Sequence, residues 1–102
     1  ARALALYGRF LTDQGDLRNG QRALERSLAI VSNRWPSGHW QLAEARGWLG
    51  YNLRLQGQCE AGHELLEQAH RGLNASRGAE HGATREVRSR LLTPCSPQTA
   101  RS

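Results

Sequence analysis

The feature that most limits this chain is a passage that occurs twice. Residues 7–15, YGRFLTDQG, return 42 positions later as residues 49–57, LGYNLRLQG. On that register Gly8 meets Gly50, Leu11 meets Leu53, and Gln14-Gly15 meets Gln56-Gly57. Gly20 then meets Gly62, Leu24 meets Leu66 and Glu25 meets Glu67, and further on His39, Glu44, Arg46 and Leu49 meet His81, Glu86, Arg88 and Leu91. A unit this short cannot bury its own apolar face and must stack on its copy, so the register points to repeated supersecondary units.

Within each unit the apolar spacing is helical. Leu4, Tyr7, Gly8 and Leu11 share one helix face, and Gly15 suits a C-terminal cap. Asp16 is placed to cap a second helix with the stripe Leu17, Gly20, Leu24, Leu28 and Val31. Residues 33–38 are expected to form a loop, because Pro36 pushes Trp35 away from helical dihedrals. The third helix carries Leu42, Ala45, Leu49, Gly50 and Leu53 and ends at Gly57; the fourth carries Cys59, Gly62, Leu66, Ala69 and Leu73. After a second loop at residues 76–82, a fifth helix, ATREVRSRLL, is stopped by Pro94. Glycine inside a helix is unfavourable by about 1 kcal/mol relative to alanine. Its matched use at Gly8, Gly20, Gly50 and Gly62 therefore predicts backbones in close approach, whereas Gly47 and Gly72 have no counterpart. The expected fold is all-α: an antiparallel helix-hairpin solenoid of two units, about residues 1–38 and 39–80, with an extra capping helix at 81–92 and a flexible tail at 93–102.

These residues resemble the tetratricopeptide repeat. Leu4, Tyr7, Leu11 and Leu24 stand where that repeat has large apolar residues, Gly8, Gly20 and Ser27 where it has small ones, and Gly15 where it often has glycine; Leu49, Gly50, Leu53, Gly57, Gly62, Leu66 and Ala69 repeat the pattern. Arg46 departs from it, with Trp48 two places on. The ordinary unit has about 34 residues. The longer period here, with a His before each new unit, is similar to the repeats of kinesin light chains and many bacterial proteins, although Trp40 and Gly82 stand where a Pro commonly follows that His. GHWQLAEARGWLG and EHGATREVRSRLL also resemble C-terminal repeats of bacterial serine/threonine kinases and related regulators. The resemblance covers residues 1–92 and implies a protein-interaction or scaffold module of a larger protein, or the regulatory repeat region of such a kinase or of a transcriptional regulator. No glycine-rich nucleotide loop and no HRD or DFG motif occurs, so the segment is not expected to be an enzyme.

Composition narrows the partners. All 14 basic residues are Arg, for a net charge of +5, which raises nucleic acid as an alternative ligand. Arg nevertheless alternates with Glu, as on solvated helix faces, and only residues 85–90 are locally basic. No apolar run reaches the roughly 20 residues that span a bilayer. Cys59 and Cys95 are too few for a disulfide framework, and a cytoplasmic location follows by default. Two and a half units imply further repeats upstream or self-association through the incomplete ends.

Several groupings invite chemistry. Cys59, His63, Glu67 and His70 share a helix face with chelating spacing, but Cys59 aligns with Leu17, an apolar packing position, so no metal is assigned. His39 and His81 match across the units and are read as shaping helix starts, so no catalytic residue and no cofactor are assigned. Trp35, Trp40 and Trp48 could mark an interface, with packing favoured for the last two. The resemblance implies a concave groove lined by the first helix of each unit. By register, its partner-binding candidates are Arg9, Thr12 and Asp13, then Tyr51, Arg54 and Leu55, with paired Arg suited to carboxylates. The Lys and Asn clamp of the chaperone-tail-binding members is not reproduced by Ala5, Arg9 and Gly47.

Overall fold

Two glycines set the hairpins. The computed structural model describes residues 2–35 and 39–95. In it Gly15 and Gly57 take left-handed φ of 88° and 87°, where a side chain would be strained. Each turn is closed by the same pair of bonds. Gly15 N–H donates to Thr12 O and Asp16 N–H to Leu11 O, and Gly57 and Gln58 donate likewise to Arg54 O and Leu53 O. The chain therefore reverses within three residues between α1 (Arg2–Asp13) and α2 (Leu17–Arg34), and again between α3 (Trp40–Leu55) and α4 (Cys59–Arg77). A fifth helix, α5 (Gly82–Leu92), follows, and no strand occurs among the described residues. The protein is all-α. Each helix packs on the next in chain order, and α3 also touches α1 and α5.

The four matched glycines lie where the hairpin helices cross. A methyl group on Gly8 would stand 3.1 Å from Gly20 O, and one on Gly50 only 2.8 Å from Gly62 O. Gly47, which the repeat left unexplained, sits where α3 meets both α4 and α5: a methyl group there would stand 3.0 Å from Val87 and 3.3 Å from Ala69. Around the crossings Leu24 and Leu66 are wholly buried. Leu24 belongs to a cluster with Ala5, Trp48, Leu49 and Leu53, while Leu66 packs with Ala43, Ala69, Leu73 and Val87. Leu53 is buried but its copy Leu11 only partly so.

Both histidines at the unit boundaries are N-caps: His39 Nδ1 accepts from Gln41 N–H and His81 Nδ1 from Ala83 N–H, each at 3.1 Å. Asp16 occupies the N-cap position of α2 but does not cap through its side chain, which accepts instead from Asn19 Nδ2 at 3.0 Å. The helices outrun the expected loops. Asn33 and Arg34 are helical, Trp35 is extended as the following proline requires, and Ser76, Arg77 and Gly82 are helical too. Residues 36–38 of the first expected loop and 96–102 of the expected tail lie outside the described residues. No described helix is long and apolar enough to cross a membrane.

Candidate functional site

The second half of α3 faces a cleft of about 910 Å³. Tyr51, Arg54 and Leu55 line it from α3, α5 supplies Glu86, Ser89 and Arg90, and the start of α2 supplies Leu17 and Arg18. Thr93, Pro94 and Cys95 complete the lining. These last residues, expected as loose tail, are held in place. The Arg54 guanidinium donates to Arg90 O, which also accepts from Thr93 N–H, and to Thr93 O just beyond α5. Cys95 is bonded to Cys59, the first residue of α4, with Cα atoms 5.9 Å apart. The cysteines thus correct their sequence reading: they form a disulfide, and the cytoplasmic location inferred from unlinked thiols loses that support.

The walls are basic and partly apolar. Arg90 Cζ lies 3.4 Å from the centroid of the Tyr51 ring, a cation–π contact, and its Nη2 is 3.5 Å from Glu86. Glu86 also accepts from Arg9 at 2.9 Å, joining α1 to α5 across the face of α3, while Arg9 stands over the Trp48 ring. A single carboxylate, Glu86, therefore faces Arg18, Arg54 and Arg90 in the cleft. Tyr51, Leu17, Leu55 and Pro94 add the apolar surface that ligand sites use for affinity.

Of the six candidates, Tyr51, Arg54 and Leu55 line the cleft and Arg9 borders it through Glu86. Asp13 is exposed but does not line it. Thr12 must be corrected: it is 3% exposed, donates to Gly8 O and accepts from Asn52 Nδ2 at 2.9 Å, so no partner can touch it. Asn52, wholly buried, also donates to Leu17 O and accepts from Gln56, which in turn donates to Gln21. This polar chain ties α1, α2 and α3 together. Arg18, Glu86 and Arg90 were missed because they come from elements outside the paired first helices; the local basic density of residues 85–90 was the available signal.

The chain matches no family model, no curated protein and no solved structure. Among the described residues no group of three could hold a metal ion. Cys59 is committed to its disulfide, and His63 pairs with Glu67 at 3.5 Å. The tryptophans form no exposed cluster: Trp48 is buried, Trp40 packs against the second core cluster under Arg77, and Trp35 stacks on His39 at 4.1 Å.

Proposed function

We propose that this chain is a tetratricopeptide-type helical-repeat module of a larger protein and that its cleft takes a short peptide segment of a protein partner. One observation carries the reading: three arginines and one glutamate line a cleft together with Tyr51, Leu55, Leu17 and Pro94. Guanidinium groups bind carboxylates through paired N–H donors, and the apolar residues bury side chains between them. The preferred segment therefore carries Asp, Glu or a terminal carboxylate next to one or two apolar residues. The reading is one of binding. The exposed row Leu6, Tyr7 and Phe10 on α1 supports a second contact, self-association.

Arg54 is unsuited to a test by mutation because it holds the end of α5. The variants to use are Arg18→Glu and Leu55→Ser, both at exposed positions. Phage-displayed short peptides would be selected on the protein and their binding measured by fluorescence anisotropy. Each variant should weaken selected acidic peptides by about tenfold, or 1.4 kcal/mol. Unchanged affinity for both variants rejects the cleft. Tight, steeply salt-dependent binding of a labelled oligonucleotide without peptide binding would favour the nucleic-acid alternative.

A further inference from the structure

Arg54 and Cys95 line two hollows at once: the cleft, and an outer hollow of about 640 Å³ bounded also by Cys59, Glu60, His63, Glu64 and Glu67. The disulfide and Arg54 together form the partition between them. On the cleft side, Thr93, Pro94 and Cys95 form part of the wall; on the outer side, both cysteines are only half-buried, within reach of a small molecule. We propose that the Cys59–Cys95 disulfide is a thiol-operated latch that fixes this wall of the cleft, and that its reduction frees the wall and widens the cleft. The proposal rests on the cleft being the binding site and adds how access to it is controlled.

Besides the latch, α5 is held by the Arg9–Glu86 pair, by Arg90 over Tyr51 and by the packing of Ala83 and Leu91 on the second core cluster. Of the residues of α5, only Thr84 and Val87 are buried, and the Thr84 hydroxyl finds no hydrogen-bond partner. The segment after α5 is tied down by the Arg54 guanidinium and by the disulfide, whose Cys95 Sγ lies 3.5 Å from Arg54 O. A disulfide on a weakly buried terminal element confines that element, whereas elsewhere helix packing does the work.

A small thiolate entering from the outer hollow attacks Cys95 Sγ, forming a mixed disulfide, and the Cys59–Cys95 bond breaks with its electron pair passing to Cys59 Sγ. That thiolate is left on the first turn of α4, whose N-cap Gln58 makes no side-chain bond to the N–H groups there. A second thiolate attacks the outer sulfur of the mixed disulfide, releasing the small-molecule disulfide and the Cys95 thiolate. Two thiols are oxidised and two cysteines freed. Glu60, Glu64 and Glu67 against the single cation Arg54 make the outer hollow acidic, so a cationic thiol is favoured over an anionic one.

The test compares the oxidised full chain, the same chain reduced by cysteamine, and Cys59→Ser/Cys95→Ser, by hydrogen–deuterium exchange read with mass spectrometry. Amides of residues 82–92 should exchange about tenfold faster in both unlinked forms, with α1 and α2 unchanged. Equal exchange at residues 82–92 in all three forms overturns the latch, and so does faster exchange throughout, which would make the disulfide a staple of the whole fold. Reduction by cysteamine should outpace reduction by 2-mercaptoethanesulfonate several-fold, with the gap closing at high salt; equal rates at low salt overturn the outer hollow as the approach. Peptides selected on the reduced chain should bind the oxidised chain about tenfold more weakly. A latch seen by exchange with no peptide bound to either form sinks the binding reading alone; peptides bound equally well by both forms sink the gating and leave the cleft standing.

Discussion

The two units share a backbone plan but not a fate. Tyr7 on α1 is 55% exposed, whereas Leu49, its copy on α3, is 5% exposed; Leu6 and Phe10 stand in water where Trp48 and Asn52 are enclosed. The local sequences cannot account for this, since α1 is the more clearly amphipathic of the two. The difference is neighbours: α3 packs against α1, α2, α4 and α5, while α1 packs on α2 and touches α3. Here burial belongs to a helix's place among its neighbours and only secondarily to the residue.

Leu24→Ala and Leu66→Ala each remove a wholly buried side chain from equivalent crossings and should each lower stability by about 2–5 kcal/mol in urea denaturation. A small loss at one with a large loss at the other would mean that the units are not structural copies. Where the units diverge, Leu49→Ala should lower stability by about 2–4 kcal/mol and Tyr7→Ala by no more than about 0.5 kcal/mol. Equal losses would show that α1 is covered in solution, and sedimentation at several concentrations would tell whether a second copy covers it. At the unit boundaries, His81→Ala should cost about 1 kcal/mol as a lost N-cap. His39→Ala should cost a few tenths of a kcal/mol more, because His39 also stacks on Trp35; a smaller loss at His39, by thermal melting, would deny the stack any value. Thr84→Val is the mildest case. It replaces a buried hydroxyl without a partner, at the position where the preceding unit buries Leu42, and should change stability by about 0 to 1 kcal/mol in the favourable direction.

How much of this was legible depended on whether a residue's surroundings repeat. The glycine crossings, the left-handed turns and the histidine caps recur in both units, so one register exposed them all. Thr12 was misplaced because its copy, Arg54, does line the cleft; what buries Thr12 is Asn52, whose own copy is the exposed Phe10. The Asp16 side chain went to Asn19, a local competitor that cap rules do not weigh. The disulfide was hidden for a different reason: only the full path of α4 and α5 brings the segment after Thr93 back to the start of α4. The cleft was half visible, since α3 carried its share in the expected register while α2 and α5 contributed from outside it.

The Asn52 network carries a consequence for any lengthening of the gene by tandem duplication. The joint between the units is written in two different residues, Thr12 offered by the first and Asn52 by the second. Were the first unit to follow itself, Phe10 would meet Thr12 and leave the Leu17 carbonyl without its donor; were the second to follow itself, Asn52 would meet Arg54. Neither copy is a spare part for the other, and unequal crossing-over here would yield an array with a mismatched seam.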